Sequence, residues 1–207
     1  MKTLLRSFQL PQNTSGKNVS VDLYRGADKS NAEHIEQDWS DWFGQVPGAQ
    51  DAHWKWDEKL FLAEDDPLLF DVFVLEAENT TQAVMLAMKG GLKCTSIHPD
   101  HPRLPLVYID LLATAPWNRQ AKSDPVRFKG CGQLMIATAA SLSVDEGFKG
   151  RVGLHSLTGA ESFYRRRIGM TEFPPDPTYG DLRYFELSES QAAAFLSNQP
   201  STKGGRS

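Results

Sequence analysis

The stretch Arg127-Phe128-Lys129-Gly130-Cys131-Gly132 lies between an apolar segment and a long amphipathic one. Neither Gly130 nor Gly132 carries a Cβ, so the backbone there can approach a phosphate group closely. The helix predicted to follow begins with unpaired N–H groups and the positive end of its dipole, which together favour an anion. Arg127 and Lys129 add side-chain charge beside it. The stretch therefore predicts a pyrophosphate site at the start of a helix.

The segments on both sides of this stretch have the patterns of regular elements. Residues 106–115 are apolar and bounded by prolines, which predicts a buried strand. A short strand is predicted over residues 151–157, and then a helix that begins at Thr158, with Glu161 at capping-box spacing, and ends at Gly169. The helix between the two strands is indicated by residues at helical spacing, namely Leu134, Ala137, Ser141, Val144 and Phe148.

Two other phosphate-binding motifs are missing from the sequence. It contains no G-x-x-x-x-G-K-[ST] pattern and no G-x-G-x-x-G after a strand, which argues against a P-loop and against a dinucleotide-binding turn. Instead, the order of strand, R-x-x-G-x-G, helix and strand is followed by the pair Phe163-Tyr164 and, five residues after the tyrosine, by Gly169. Over roughly residues 106–173 this order resembles the GNAT superfamily of acetyl-CoA-dependent N-acetyltransferases.

The resemblance implies an α/β (α+β) fold. Its sheet is mixed and mostly antiparallel, has about seven strands, splays between strands four and five, and is flanked by about four helices. It also implies acetyl-CoA as cofactor, with the pyrophosphate at the R-x-x-G-x-G motif and the pantetheine arm in the splay. The residues expected to bind the coenzyme are Leu112, Ala113, Thr114, Arg127, Phe128, Lys129, Gly130, Cys131, Gly132, Gln133, Ala160, Phe163 and Tyr164.

The sequence departs from the family pattern at two places. Leu157 stands where the family often has an asparagine that contacts the pantetheine arm, and the loop from Thr114 to Arg127 is longer than usual. Cys131 is also of interest, because a helix N-terminus lowers the pKa of a thiol. Since this position varies in the family, a spacer role for Cys131 is the better interpretation.

Acetyl transfer to an amine needs a base, an oxyanion donor and an acid close to the acetyl group. The resemblance implies that Tyr164 is the acid, the alternative being a tyrosine that only packs the helix on the sheet. Asp110, in an otherwise apolar strand, is the candidate base, because a buried carboxylate needs a specific partner or a solvent-filled cleft. It could equally anchor a neighbouring element. His155, on the adjacent strand, is a second candidate base or a packing residue.

The rest of the chain supplies further predicted elements. Strands are predicted over residues 19–24, 69–77, 82–89, 171–173 and 182–187, with a turn at 78–81. Capping boxes predict helices at Ser30 with Glu33 and at Ser188 with Gln191. Aromatic and aliphatic residues indicate helical faces that could be core or part of an acceptor pocket, namely Ile35, Trp39, Trp42, Phe43, Trp54, Trp56, Leu60 and Leu62.

Length and composition are those of one globular enzyme. The 207 residues are interpreted as a single GNAT-like domain, 1–199, followed by a disordered tail, 200–207. The net charge of −4 argues against nucleic acid and acidic membranes as partners. Two cysteines suggest no disulfide framework, and the first residues do not resemble a signal peptide, so a cytoplasmic location is expected. No metal is expected, because His98 and His101 lie in a proline-broken segment interpreted as a solvated loop.

The predicted function is transfer of an acetyl group from acetyl-CoA to a primary amine by direct attack in a ternary complex. The acceptor is left open between a small-molecule amine and a protein amino group, and a homodimer is one possible assembly. The alternative is a non-catalytic module that binds acyl-CoA in a sensing or assembly role.

Overall fold

The computed structural model describes residues 2–43, 49–119 and 126–198. Eight strands form one sheet in the order β1-β2-β3-β4-β5-β6-β8-β7. Every neighbouring pair is antiparallel except β5 and β6, which are parallel. The strands are β1 (Thr3–Gln12), β2 (Lys17–Arg25), β3 (Phe70–Ala77), β4 (Thr80–Met88), β5 (Val107–Thr114), β6 (Val152–Ser156), β7 (Thr171–Asp176) and β8 (Leu182–Leu187). The mixed, mostly antiparallel sheet is as predicted.

The sheet has one strand more than predicted. The additional strand is β1, which pairs with β2 along its length from Thr3 to Gln12. Its sequence gives no alternating pattern because most of its side chains are exposed, including the adjacent Leu4 and Leu5. An edge strand of this kind is held by its backbone ladder rather than by a buried face, so hydropathy alone does not detect it.

Helices cover both faces of the sheet. One face carries α1 (Lys29–Glu33), which continues as a π-helical turn (His34–Trp39) into α2 (Ser40–Phe43), then α3 (Trp56–Lys59) and α4 (Leu62–Asp65). The other face carries α5 (Cys131–Asp145), the π-helical segment Phe163–Ile168 and α6 (Glu189–Ser197). Each set packs on its own hydrophobic core. Trp39 and Trp56 are buried in the first of these cores, so they are core residues.

Two of the three predicted capping boxes are wrong. Ser188 and Gln191 cap α6 as predicted. The first helix is instead capped by Asp28, whose side chain accepts hydrogen bonds from backbone N–H groups, with Asn31 as the reciprocal partner. At residue 158 the chain forms a 3-10 turn (Thr158–Ala160) without a side-chain cap. Glu161 pairs there with Arg165 and Arg183.

The β3–β4 hairpin has a tighter turn than the predicted 78–81. Ala77 pairs with Thr80, so only Glu78 and Asn79 form the loop, and both have positive φ angles of 54° and 57°. A two-residue turn of this conformation matches the twist of the flanking strands. The backbone of the hairpin tip is therefore fixed by the turn, and it sets the position of the Glu78 side chain.

The sheet opens between β5 and β6. Their parallel ladder ends at the pair Ile109–Leu154, although β5 continues to Thr114 and β6 to Ser156. The register between β4 and β5 also shifts at this level, because Ala87 pairs with Ile109 and Leu86 with Leu111. Asp110 is thus the additional residue of a β-bulge at the point where the strands separate. This is the splay predicted between strands four and five, which here are β5 and β6.

No helix in the described ranges is both long enough and apolar enough to cross a membrane. The predicted tail at 200–207 and the centre of the long loop, 120–125, lie outside the described residues.

Candidate functional site

The predicted phosphate loop leads directly into α5. Gly130 caps the helix with a φ of +97°, a left-handed conformation that favours glycine. Its carbonyl oxygen accepts the first intrahelical hydrogen bond, from the N–H of Leu134 at 2.9 Å. The N–H groups of Cys131, Gly132 and Gln133 precede that bond, so they have no acceptor within the helix. This end of α5 can hold an anion.

The loop is supported from behind by the end of β1. The N–H of Asn13 donates to the carbonyl oxygen of Arg127 at 3.0 Å, and the N–H of Lys129 donates to that of Pro11 at 3.2 Å. The N–H of Phe128 donates to Oδ1 of Asn118 at 2.9 Å. The backbone of the loop is therefore fixed by segments that lie far apart in sequence.

The two basic side chains of the loop have different surroundings. Lys129 is exposed. The Arg127 guanidinium is paired with the carboxylate of Glu78 at the tip of the β3–β4 hairpin. The same carboxylate accepts a hydrogen bond of 2.8 Å from Gln12. A phosphate that engages Arg127 would therefore compete with Glu78.

The two glycines of the motif serve different purposes. A Cβ on Gly130 would have only Leu10 near it, at 3.7 Å, so this position is glycine because of its backbone conformation. A Cβ on Gly132 would lie 3.1 Å from the ring of Phe163. Gly132 thus lets the first turn of α5 pack against the Phe163–Ile168 segment. The sequence had suggested only that this glycine lets a phosphate approach the backbone.

Phe128 and Cys131 do not offer their side chains to a ligand. Both are buried in the core beneath α5, so only their backbone atoms can contact a coenzyme. Burial raises the pKa of the Cys131 thiol to about 12. The prediction of a lowered pKa at the helix N-terminus is therefore wrong, because desolvation outweighs the dipole.

Tyr164 is buried against the same core as α5, with its ring next to those of Phe163 and Phe185. Its hydroxyl makes no hydrogen bond to any residue that the structure describes, and burial raises its pKa. Ala160 and Leu112 pack on this core as partly buried side chains. Tyr164 is therefore a protonated hydroxyl on the α5 side of the sheet.

Beyond the bulge, the side chains of β5 alternate between the two faces. Leu112 faces the core of α5, and Ala113 faces that of α1–α4. The carbonyl oxygen of Thr114 accepts hydrogen bonds of 2.9 and 2.7 Å from Arg119, which also forms a bidentate pair with Asp51. This pair fixes the end of the strand where the long loop begins.

Asp110 lies on the opposite face from Tyr164 and has a specific partner. Its carboxylate accepts a hydrogen bond of 2.8 Å from the ammonium group of Lys93, and 27% of its side chain is exposed. That ammonium also lies over the rings of Tyr108 and Tyr179, at 5.1 and 5.0 Å. Asp110 thus has both features expected of a polar group in this strand, a partner and access to solvent.

His155 is next to this cluster. Its Nδ1 is 2.8 Å from the hydroxyl of Tyr108, and its ring stacks on that of Tyr179 with centroids 4.0 Å apart. Its Nε2 lies 3.4 Å from a carboxylate oxygen of Asp176 but makes no hydrogen bond to a described residue. Burial lowers the pKa of His155, which the nearby Asp176 carboxylate partly offsets. The imidazole is therefore neutral near pH 7.

Lys93, Tyr108, His155 and Tyr179 line a pocket of about 400 Å³, and Asp110 adjoins it through its hydrogen bond from Lys93. The sequence predicted Asp110 and His155 but not Lys93, Tyr108 and Tyr179, because no local pattern connects their segments. The remaining lining residues are mostly apolar or aromatic, namely Leu92, Thr95, Ile97, Phe173, Pro174, Pro175, Asp176, Pro177 and Tyr184.

The segment around His98 is a loop with mostly exposed residues, as predicted, but His98 itself is not solvated. His98 is buried, its Nε2 is 3.1 Å from the hydroxyl of Thr171, and its backbone N–H bonds to the side chains of Ser96 and Glu186. The buried Glu186 carboxylate orders this turn. Within the described residues, no group of three or more His, Cys, Asp or Glu side chains could hold a metal ion.

No protein-family model and no curated protein matches the sequence. Solved structures nevertheless resemble the fold. PaiA N-acetyltransferase from Thermoplasma acidophilum, in complex with coenzyme A, is 13% identical over 80% of this chain and 97% of its own, with a TM-score of 0.51. A protein from Desulfovibrio desulfuricans described as a GNAT-family acetyltransferase is 12% identical over 82% and 99%, with a TM-score of 0.52.

FeeM, an N-acyl amino acid synthase from uncultured soil microbes, is also similar, with 11% identity over 84% of this chain and 93% of its own and a TM-score of 0.53. At these identities the likeness concerns the fold alone. The chain has the GNAT acetyltransferase fold.

Proposed function

We propose that the chain is an N-acetyltransferase that moves an acetyl group from acetyl-CoA to a primary amine. One observation carries the proposal: β5 and β6 separate beyond the pair Ile109–Leu154, with Tyr164 and the start of α5 on one face and, on the other, His155 in the pocket and Asp110 beside it, bonded to Lys93. A thioester held in this opening would meet an acid from one side and a base from the other. The coenzyme A complex of the structurally similar PaiA enzyme supports the choice of cofactor.

The coenzyme binds along the α5 side of the opening. Its pyrophosphate accepts hydrogen bonds from the N–H groups of residues 131–133, with Lys129 and Arg127 supplying charge. The pantetheine arm runs beside Leu112, Ala113 and Thr114, taking main-chain hydrogen bonds where β5 has no strand partner on the β6 side. Ala160 and Phe163 contact the arm from the following segment.

Transfer begins with removal of a proton from the acceptor, because a primary amine is mostly protonated near neutral pH. The free amine attacks the thioester carbon in a ternary complex, and the carbonyl oxygen gains negative charge. Main-chain N–H groups of β5 stabilise that oxyanion. When the tetrahedral intermediate collapses, the C–S bond breaks and Tyr164 protonates the departing thiolate. The raised pKa of Tyr164 keeps this proton in place until then. The attacking nitrogen gives up its second proton through the same base, which has already passed the first proton to solvent, and the product is a neutral amide and the coenzyme A thiol.

Two side chains compete for the role of base. Asp110 lies at the bulge where the strands separate, and its carboxylate is held by Lys93. His155 is neutral near pH 7, so one of its two ring nitrogens can accept a proton. We propose Asp110 as the base, acting through water, and His155 as the second candidate.

Coenzyme binding is tested with two glycine variants at positions of positive φ. A Cβ would clash with nothing at Gly130 or at Gly16, whose φ angles are 97° and 67°. Gly130→Ala should lose more stability than Gly16→Ala, because 97° lies outside the left-handed region that alanine can adopt, so each variant is compared with its own ligand-free melting temperature. Acetyl-CoA should raise the melting temperature of the parent protein and of Gly16→Ala, and acetyl-phosphopantetheine should do so far less. Gly130→Ala should lose most of the shift, because its methyl group intrudes on the phosphate site.

Catalysis is tested separately by release of the coenzyme A thiol with a panel of amines. Amine-dependent release supports the enzyme. Coenzyme binding without release for any amine would favour the alternative, a non-catalytic acyl-CoA-binding module. Equal coenzyme affinity in Gly130→Ala and the parent would overturn the proposed phosphate site.

A further inference from the structure

The face of the opening occupied by Asp110 and His155 carries charges that define the acceptor. Resting on the function proposed above, we infer that the acceptor is a free α-amino acid with an apolar side chain, whose carboxylate is bound by Lys93 and whose amino group lies at Asp110. Lys93 is then a specificity-determining residue of the pocket.

The first argument concerns charge balance. In the free protein, the Lys93 ammonium neutralises Asp110 at 2.8 Å. An acceptor that carries only an ammonium group would displace Lys93 from Asp110 and leave one positive charge uncompensated, which is costly in a partly buried site. A zwitterion avoids this cost, because its ammonium compensates the charge of Asp110, with the relaying water between them, while its carboxylate pairs with the Lys93 ammonium. One ion pair is exchanged for two.

The carboxylate that lines the pocket, that of Asp176, is engaged by other groups. One oxygen of Asp176 accepts hydrogen bonds from the N–H and the hydroxyl of Thr178, at 2.8 and 2.6 Å. The other oxygen faces Nε2 of His155 at 3.4 Å. Lys93 therefore depends on Asp110, or on a carboxylate that a ligand brings.

The third argument is a poorly satisfied polar atom. The His155 side chain is 9% exposed, and its Nε2 makes no hydrogen bond to a described residue. The Tyr108 hydroxyl engages the other ring nitrogen. A carboxylate oxygen of Asp176 faces Nε2 at 3.4 Å, longer than a normal hydrogen bond, so a ligand or water can improve the pairing of this nitrogen. A zwitterion can do so with either its ammonium or its carboxylate group.

The walls of the pocket select the side chain of the acceptor. They are formed largely by rings and aliphatic groups, including those of Ile97, Phe173, Pro175 and Tyr184. A volume of about 400 Å³ is near the lower end of the usual range for small-molecule sites, about 300–1,000 Å³. The pocket thus suits a single amino acid with an apolar or aromatic side chain.

The test compares three ligands that differ only at the carboxylate: L-phenylalanine, L-phenylalaninamide and phenethylamine. Binding to the coenzyme A complex is measured by calorimetry, and acetylation by thiol release from acetyl-CoA. L-phenylalanine should bind about ten- to a hundredfold more tightly than either analogue, the range expected for a charge-assisted hydrogen bond. Lys93→Gln should reduce this ratio to near one, and Lys93→Arg should restore part of it.

Lys29→Gln is the matched control, because it removes a lysine from an exposed ion pair with Glu33 outside the pocket. It should leave the ligand preference of the parent protein intact. Analogues that bind as well as L-phenylalanine, or a preference that Lys93→Gln does not change, would overturn the inference.

Failure of the proposed function has a different signature. If L-phenylalanine binds with the predicted dependence on Lys93 but no thiol is released, the inference stands and the enzymatic proposal falls. If thiol release occurs with all three ligands at similar kcat/KM, the enzymatic proposal stands and the inference falls.

Discussion

The two faces of the sheet opening are built in opposite ways. On the α5 side, the proposed phosphate loop is one continuous stretch, 127–133, and the proposed acid, Tyr164, belongs to a second short motif. On the pocket side, Lys93, Asp110 and His155 come from three separate segments, and the contacts that hold them join residues 17 to 47 positions apart. A backbone-defined site can be encoded locally, whereas a pocket defined by side chains depends on how distant segments meet.

Removal of the Tyr164 hydroxyl should cause the largest loss of turnover. Tyr164→Phe keeps the ring packing and removes a group that bonds to no described residue, so the melting temperature and coenzyme affinity should change little. Turnover should fall about a hundredfold or more, the usual contribution of general acid catalysis. Rates and melting curves measured on the same preparation check this. Tyr24→Phe, on β2 away from the opening, is the control, and a Tyr164→Phe enzyme at the parental rate would move the acid elsewhere.

Asp110→Asn should have the next largest effect. Because the side chain is partly exposed and asparagine can still accept from Lys93, the variant should fold and bind acetyl-CoA normally. Turnover should fall by about tenfold to a hundredfold, most severely at low pH where free amine is scarcest. Asp22→Asn, whose amide oxygen can still accept the exposed hydrogen bond from Ser7, controls for the change of charge.

The opposite outcome for Asp110 is also specific. A variant destabilised by about 1–3 kcal/mol whose folded fraction turns over at full rate would make the carboxylate structural. His155, on the same face, would then become the leading candidate for the base.

Substitutions of Arg127 and Glu78 should change the affinity for the coenzyme by smaller amounts and in opposite directions. Arg127→Gln removes a positive charge from the phosphate loop, so the Kd for acetyl-CoA should rise, by about tenfold at most for a partly exposed charge. Glu78→Gln removes the competing carboxylate, so the Kd should fall a few-fold. Calorimetry at low and high salt measures both, with Glu58→Gln as a control for loss of an exposed ion pair. Parallel shifts in the two variants would contradict competition at Arg127.

The smallest expected effect is the contribution of His155 to the pH dependence of the free energy of unfolding. Burial lowers its pKa from the ordinary 6.5, so below about pH 6.5 the unfolded chain binds a proton that the folded protein does not. The free energy of unfolding should therefore decrease as the pH falls through this range and recover as it rises. His155→Gln should flatten the slope of melting temperature against pH between 5 and 7, whereas the exposed His53→Gln should not. An unchanged slope in His155→Gln would assign the dependence to another group.

The sequence predicted the elements around the phosphate loop because each has a local signature. Prolines bound β5, helical spacing marks α5, and Ser188 with Gln191 caps α6. Elements without such a signature were missed or misplaced. β1 has exposed side chains and no alternation, and the residues at 158–161 have capping-box spacing while Glu161 is engaged by two arginines.

Within the site, residue type alone could not reveal pairing partners. Nothing in the neighbourhood of Asp110 indicates Lys93, because the pair forms only when the turn at residues 92–94 packs beside β5. The pKa of Cys131 was misjudged for a similar reason. The helix terminus is a local feature, whereas the burial that outweighs it comes from the core beneath α5.

The support that β1 gives to the phosphate loop has a consequence for folding kinetics. Asn13 and Val126, which share a hydrogen bond at this junction, are 113 positions apart, so this contact closes one of the longest loops in the chain. Contacts of such sequence separation form late, since the chain entropy lost in closing the loop must be repaid by structure already in place. During refolding, α5 should therefore gain its helicity before the protein gains affinity for acetyl-CoA. In a growing polypeptide, the first strand emerges early but completes its native contacts only after the start of α5 has been synthesised.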